Sequence, residues 1–532
     1  MRLRPLVLSL LAVLTICPPS KLTAQTMTTG ALAGVVTDQS NAVVAGADVA
    51  IEDLARGTTQ STRTDREGAY RFFFLVPGKY ALTVTDPGFR EEKRAVNVLL
   101  GPSVSVNVRL EIAKASTEIL VTNDAPLVQA ENGDVSVTMN QTQVSELPNP
   151  GNDLTYIVQT APDVVMNTDL SNGSHFSILG MPANSYLLTT DGMSNNGTGN
   201  DTISGALGLL LGQNEIQEAT VVSTGYSGQF GGAAGGNINY ITKSGTNGFH
   251  GNAQYYWNGR AFNANYWFNN AFNVPRPFSI AHQWAGSLGG PIKKDKLFFF
   301  FDSEGLRLQV SSTTQVAIPS HQFEDATMKN IDSDSRFGAG SATHAFYRKI
   351  FDLYDSSLLG PGISAVQDGY FLDPLGCAGF VDPNIDPNDP HGLGKDVPCS
   401  VSFIKNRGRP SEDALTSGRV DWNASRSDRV FLRLERDSGV SAAYNDPISS
   451  MFDQDGSSSW WKGEVVETRS FGPSVASQFL MGVSFYSGMG GVKNLAKSLA
   501  TFPTGLFFNG GLPFSGLGGS GTYDYSDRRY DF

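Results

Sequence analysis

The stretch from Tyr226 to Gly251, YSGQFGGAAGGNINYITKSGTNGFHG, constrains this chain more than any other part of it. A glycine-rich turn region leads into a short β-type run, Asn237 to Thr242, then a TKSGTN turn, and then a new pattern. From His250 onward the residues alternate. Gly251, Ala253, Tyr255 and Trp257 fall on one side; His250, Asn252, Gln254, Tyr256 and Asn258 fall on the other. Small and aromatic residues on one face and mostly polar residues on the other fit a wall strand with lipid outside and a wet interior. The GGAAGG segment also suits a flexible linker. The β-run right after it argues for order instead, with glycines letting the backbone pack closely and take positive φ in turns.

The ends and the composition narrow the choice. MRLR, an apolar PLVLSLLAVLTIC and PPSKLTAQ read as a secretory signal peptide over residues 1–25, cut after Ala24 or Gln25. Leu14-Thr15-Ile16-Cys17 is a poor lipoprotein box, because Ile16 is bulky and prolines follow, so Cys17 is expected to leave with the signal. Past the signal no run reaches the ~18 apolar residues of a spanning helix. A membrane protein with this sequence must therefore close as a barrel, since only helices and closed barrels satisfy the backbone in lipid. Losing Arg2, Arg4 and Lys21 moves the formal charge from -12 to about -15. So acidic a chain is a poor nucleic-acid partner.

Residues 28–112 carry short alternating β-runs with turn signals about every ten residues, the pattern of a small sandwich. Val35 to Thr37, Ala47 to Ile51, Tyr70 to Leu75 and Tyr80 to Thr85 are the clearest strands. Gly34-Val35-Val36-Thr37-Asp38, Gly46-Ala47, Thr64-Asp65, Gly68, Tyr70, Phe72, Leu75, Pro77-Gly78, Tyr80 and Gly88-Phe89 resemble the carboxypeptidase regulatory-like domain, a transthyretin-like or carbohydrate-binding-like sandwich. These landmarks are turn residues and core apolars. They imply a fold and no peptidase chemistry.

Residues 113–125 form a linker. Its run Thr117, Glu118, Ile119, Leu120, Val121 and Thr122 has nothing local to pair with. In the TonB-dependent outer-membrane receptors that the next domain resembles, such a run is the TonB box, which adds edge-on to an energy-transducing partner. The run equally suits the last strand of the sandwich or the first of the next domain. Residues 126–247 resemble the plug of a TonB-dependent outer-membrane receptor. Val144 to Pro148 and Asn152 to Leu154 match an early helical turn. Phe176 to Gly180 and Tyr186 to Gly192 match a strand ending in Gly followed by one ending in Asp191-Gly192. Ile216 to Val222 matches the next strand. Tyr226, Phe230, Gly231, Gly235, Gly236, Asn237 to Ile241, Thr242 and Lys243 match the plug's end. Leu179 stands where many such receptors carry Arg, a departure from the siderophore group.

Residues 248–532 read as barrel hairpins. Leu288 to Phe301 gives strand, polar turn, strand. Val420, Trp422 and Ala424 alternate with Arg419, Asp421 and Asn423. After a turn at Ser425 to Asp428, Val430, Leu432 and Leu434 alternate with Arg433 and Glu435. Val475, Phe479, Met481, Val483 and Phe485 form another face. Ser311 to Leu415 and Gly439 to Ser459 are expected as long loop excursions. NYITKSGTNGFHG, LGGPIKKDKLFFFF and RVDWNASRSDRVFLRLE, in that order, resemble the Oar-like branch of TonB-dependent transporters. About eight strands fit after Gly248, whereas plugged transporters use about 22. At that density a closed wall needs on the order of 800 residues. The chain is therefore expected to be a truncated product or a fragment, because an open edge in lipid is not viable.

Few residues suggest chemistry. Cys377 and Cys399, the two cysteines left after processing, are expected as a disulfide in an oxidising compartment, with two free thiols as the alternative. His321-Gln322-Phe323-Glu324 has the spacing of half a zinc site, and His344 follows. Zinc enzymes need three ligands on a rigid frame, and this stretch is expected in a loop, so chance spacing is favoured. Asp382, Asn384, Asp386, Asn388 and Asp389 offer oxygens at the alternation of a calcium loop, without the closing Glu; a solvated surface loop is the alternative.

The expectation is a mainly β, non-enzymatic chain with no cofactor, in the Gram-negative outer membrane. It comprises a transthyretin-like β-sandwich in the periplasm, a mixed α/β plug, and the first part of a large antiparallel transmembrane β-barrel. The resemblance implies partners: a TonB-type protein, outer-membrane lipid, and a large carbohydrate or peptide substrate. A surface carbohydrate-binding protein or adhesin is the rival, and a secreted metallopeptidase a more distant one.

Overall fold

The computed structural model describes residues 28–100, 103–113, 135–147, 153–166, 176–182, 185–196, 210–224, 234–271, 273–360, 362–368, 400–472, 475–501 and 523–531. The signal segment, the 117–122 run, Tyr226 to Gly231, Cys377, Cys399 and the 382–389 acidic run lie outside the described residues.

The first domain has eight strands: Gly30–Thr37 (β1), Asp48–Asp53 (β2), Thr59–Arg63 (β3), Ala69–Leu75 (β4), Gly78–Thr85 (β5), Glu92–Val98 (β6), Ser103–Ser105 (β7) and Val108–Arg109 (β8). One sheet runs β4-β1-β7 with β8 also on β1; the other runs β3-β2-β5-β6. Alternation drives the packing. In β5, Tyr80, Leu82 and Val84 are buried while their neighbours are not. They meet Val49 and Ile51 of their own sheet and Leu32, Phe72 and Leu75 of the other in one apolar core. Turn chemistry explains the Thr64-Asp65 and Gly68 landmarks. The Thr64 hydroxyl donates to the Val44 carbonyl (2.7 Å) and accepts from the Ala47 amide (2.9 Å). Asp65 accepts from the amides of Glu67 and Ala69. Gly68 sits at φ 71°, and a Cβ there would stand 2.8 Å from the Val36 carbonyl oxygen.

The plug follows with strand Val135–Met139 (β9), helices Gln141–Glu146 (α1) and Leu154–Val158 (α2), and hairpin Val164–Met166 (β10) with Phe176–Ile178 (β11). Strands Leu187–Thr190 (β12), Met193–Ser194 (β13), Ile216–Thr224 (β14) and Asn237–Thr242 (β15) complete it. Five of its strands form a sheet in the order β13-β12-β15-β14-β9. Asn140 and Gln143 cap α1 reciprocally, in a capping box. Central strand β15 is buried along its whole length.

The wall is one eight-stranded antiparallel sheet. Its strands are His250–Gly259 (β16), Ser279–Lys293 (β17), Leu297–Val310 (β18) and, after an insertion, Pro410–Asn423 (β22), Asp428–Tyr444 (β23), Gln454–Ser470 (β24), Ala476–Val492 (β25) and Tyr523–Asp531 (β26). Among the described residues β16 and β26 are its two edges. One face exposes Trp284, Leu288, Phe301, Val420, Trp422, Leu432, Leu434, Trp461, Phe479, Met481 and Val483. So broad an apolar surface, alternating with a buried polar face, is a lipid-facing wall. Among the described residues no helix is long and apolar enough to cross a membrane.

The turns at one end are short, at 294–296, 424–427 and 471–475; the connections at the other end are longer. Two expected excursions need correction. Ser311 to Leu415 is a built cap: Ser312–Pro319 (β19), Ile363–Asp368 (β20) and Ser400–Arg407 (β21) form a sheet in the order β19-β21-β20, packed with helices His321–Ser333 (α3) and Ala342–Ser357 (α4). Its last residues already belong to wall strand β22. Gly439 to Ser459 is mostly strand, with Gly439 facing Ser458 and Ser441 facing Gly456 in register, so only 445–453 loops out. Glycine and serine made that stretch look like a loop, but continuous pairing carries small residues as readily as large ones.

Candidate functional site

The chemistry of this molecule is concentrated where plug meets wall. Strand pairing aligns plug-facing polar residues across four strands. In register, Asp302 of β18 faces Ser417 of β22, Arg419 faces Arg433 of β23, Arg433 faces Glu464 of β24, and Glu435 faces Lys462. With Glu304 they make a charged belt across the wall, all of it buried.

The plug presents two segments to this belt. The first is the single helical turn Gln213–Glu215. Glu304 accepts from the Asn214 amide (2.6 Å) and the Gly212 amide (3.3 Å). The Asn214 side chain donates to Asp302 (2.6 Å) and exchanges hydrogen bonds with Asn252 of β16. Glu215 accepts from Ser417 and pairs with Arg433, which also binds Glu435. Burial pushes the Glu215 carboxyl up to about 7, against the pull of Arg433. The second segment is the strand end Asp191 with Thr242 and Lys243. Asp191 accepts from the Thr242 hydroxyl (2.6 Å) and pairs with Arg419 (3.2 Å), whose guanidinium also donates to Thr242 (2.9 Å) and lies over the Phe431 ring. Lys243 donates to the Asn214 carbonyl (2.7 Å), joining the two segments. Burial lowers the Lys243 pKa, opposed by the nearby acids Asp302 and Glu304. Lys462 reaches both Glu435 (3.0 Å) and Asn195 of the plug (2.9 Å). The belt is incompletely satisfied: neither oxygen of Glu464 finds a hydrogen-bond donor among the described residues.

The sandwich touches the same junction. Arg56, held by Asp53 (2.8 Å), donates to Ser244, and Asn247 donates to the Ala55 carbonyl (3.0 Å) and to Asp295 in a short wall turn (2.6 Å). Gly245 between them lies so close to the wall that a Cβ would stand 2.4 Å from the Phe299 carbonyl oxygen. A second link is buried: Glu218 of β14 accepts from the Leu100 amide (2.9 Å), and burial pushes its carboxyl up to about 7. A cavity of about 820 Å³ beside β16 is lined by Asn214, Lys243, Asn252, Gln254 and Gln283.

Of the plug landmarks, Asp191, Thr242 and Lys243 stand in the belt contact. Gly180 (φ 72°) and Gly192 (φ 90°) turn the chain after their strands. Gly235 and Gly236 lie beside Ser185 and Ile178, inside the plug. Leu179 is half-exposed in a left-handed turn at φ 54°. The His321 and Glu324 pair is not in a loop: it opens helix α3 behind the Ser320 N-cap. His344 lies apart and binds Asp332 (2.6 Å). Asp302, Glu304, Asn214, Glu215, Lys462 and Glu464 were not foreseen. For the wall residues Asp302, Glu304, Lys462 and Glu464 the signal was full charge at alternate positions on the inner face of successive strands; Asn214 and Glu215, in a single helical turn of the plug, carried no such signal.

The outer membrane β-barrel domain family matches residues 241–527. The chain belongs to that family. This outer membrane β-barrel protein also matches the carboxypeptidase regulatory-like domain over residues 31–111. It is 26% identical over 251 residues to the TonB-dependent transporter Oar of Myxococcus xanthus, covering 45% of this chain and 23% of Oar. Among solved structures it is similar to the outer membrane transporter YddB from Escherichia coli, at 12% identity and a TM-score of 0.43, covering 74% of this chain and 44% of that one. It is also similar to the siderophore receptor PirA from Acinetobacter baumannii, at 12% identity and a TM-score of 0.33, covering 67% and 45%. The chain thus spans less than half the length of each of these relatives. The family and the relative bear out the resemblance to Oar-type TonB-dependent receptors and a place in the cell outer membrane.

Proposed function

We propose that this chain is the sandwich, plug and first wall segment of a TonB-dependent transporter that admits a large substrate, of oligosaccharide or peptide class, by remodelling its plug. The observation that carries the reading is the nature of the plug's hold on the wall. An apolar contact would be costly to open into water. A buried ionic contact is different, because its separated charges regain hydration, and the net worth of such pairs is small. Charged belts of this kind suit a plug that is held in one register and then released.

Force would enter through the linker. Its Thr117 to Thr122 run would pair with a TonB-type partner by strand addition. The sandwich touches the short-turn end of the wall, the periplasmic end in bacterial barrels, which supports placing it beside that partner. Cys377 with Cys399 as a disulfide, and the 382–389 oxygens as a calcium loop, are proposals that mass spectrometry of the oxidised chain and calcium titration would test. The test is to delete residues 113–125. A transporter loses uptake and keeps surface display and substrate binding. A surface adhesin loses nothing, and that result would sink the transport reading.

A further inference from the structure

The loop-side cap carries three side chains that transport does not use. The Ser320 N-cap starts α3 so that His321 and Glu324 share its first turn, at a spacing that puts them on one face. Asp355, near the end of α4, meets that face. One ligand atom from each of the three lies within 4.8 Å of the others. Nδ1 of His321 is 3.6 Å from Oε2 of Glu324 and 3.7 Å from Oδ1 of Asp355. Both separations are too long for hydrogen bonds. Both are close to the ~3.4 Å edge of a tetrahedron built on metal–ligand bonds of about 2.1 Å.

Burial makes the arrangement hard to explain without a cation. Glu324 is 5% exposed, although it is a carboxylate facing another carboxylate. Its Oε1 and the Asp355 Oδ1 are both buried with no hydrogen-bond partner among the described residues. A buried carboxylate without a donor is costly, and proteins keep such groups where something pairs with them. The frame is firm, since α3 and α4 pack through Met328, Ile350, Phe351 and Tyr354 against the β19–β21 sheet.

We propose that His321, Glu324 and Asp355 bind a divalent cation of the zinc class, which pins α3 to α4 on the loop side of the wall. The donor set chooses the class. Calcium and magnesium take oxygen ligands, whereas an imidazole with two carboxylates suits zinc and its first-row neighbours. Three protein ligands leave a fourth position for water or for a group on an incoming molecule.

The chain, purified in detergent and stripped with chelator, is dialysed against zinc chloride or calcium chloride, and retained metal is measured by mass spectrometry. His321→Ala is the first variant, because that side chain is 70% exposed and its loss leaves the helix start intact. Glu324→Gln, nearly isosteric, is the second. The expected result is one zinc per chain, a zinc-dependent rise in the melting temperature of the cap, and retention falling to background in both variants with unchanged circular dichroism. No retained zinc overturns the proposal. So does zinc held equally by both variants, or calcium retained in preference to zinc.

Discussion

The sandwich interior and the plug–wall contact are built on opposite principles. The sandwich closes over Leu32, Val49, Leu75, Leu82, Val84 and Val98, all essentially without exposure, in a core of apolar contacts. The plug has an apolar core of its own, around Phe176, Tyr186 and Tyr240. Toward the wall, however, it presents Asp191, Asn214, Glu215 and Lys243, and the wall answers with Asp302, Glu304, Arg419, Arg433 and Lys462. Apolar burial is non-directional and holds permanently. Charged contacts fix one register and lose less when water replaces the partner. On the proposed transport reading, the difference would separate a part that stays folded from a joint that opens.

Removing one charge from the centre of the belt should have the largest effect. Arg433 is buried between Glu215, Glu435 and Glu464. Arg433→Ala leaves three acids without their shared cation and should cost about 3–5 kcal/mol, the usual consequence of breaking a buried pair from one side. Limited proteolysis of the plug in detergent would report it as faster cutting with the sandwich still protected. Arg433→Met combined with Glu215→Gln should recover much of the loss. If the single substitution leaves the plug as protected as before, the belt does not hold it and the comparison fails.

A milder probe sits where sandwich and plug meet. Glu218 has a folded-state pKa of about 7, above its ordinary 4.5, because it is buried. Below 4.5 the group is protonated in both states and imposes nothing. Between 4.5 and 7 the folded state binds more protons, so stability falls as pH rises, and above 7 the whole penalty applies. At about 1.4 kcal/mol per unit this is roughly 3.5 kcal/mol. Glu218→Gln should match the natural chain at pH 4.5 and be more stable by about 3 kcal/mol at pH 8, read by thermal unfolding across the range. A variant whose advantage is the same at both pH values would show that burial of the charge is not the cause.

The comparison also explains what the sequence could and could not show. The wall was legible because alternation reports a face directly: Val420 and Trp422 outward, Arg419 and Asp421 inward, needs only a two-residue period. The Thr64-Asp65 and Gly68 turn was legible because its hydrogen bonds close within a few residues. The belt was not, because Arg433 meets Glu215 and Arg419 meets Asp191 across more than two hundred residues, and only the fold selects such partners. The cap was missed for a different reason. Its Asp, Pro and Gly content read as loop, although the Ser320 and Ser341 N-caps and the spacing of Ile350, Phe351 and Tyr354 marked two helices.

The smallest effect should come from the same chemistry in the other environment. Arg307 of β18 and Glu412 of β22 form an ion pair of 3.0 Å toward the loop-side ends of their strands, on the exposed face, both more than half exposed. Distance alone would rank it beside the pairs of the belt. Exposure says otherwise: such charges stay hydrated and screened when apart, and exposed pairs are worth about 0–1 kcal/mol. Glu412→Gln should therefore change the unfolding free energy from denaturant titration by less than about 0.5 kcal/mol, and added salt should erase even that. A cost approaching that of Arg433→Ala would mean that pairing geometry, not burial, sets the strength of the joint. The plug would then need some other device to let go.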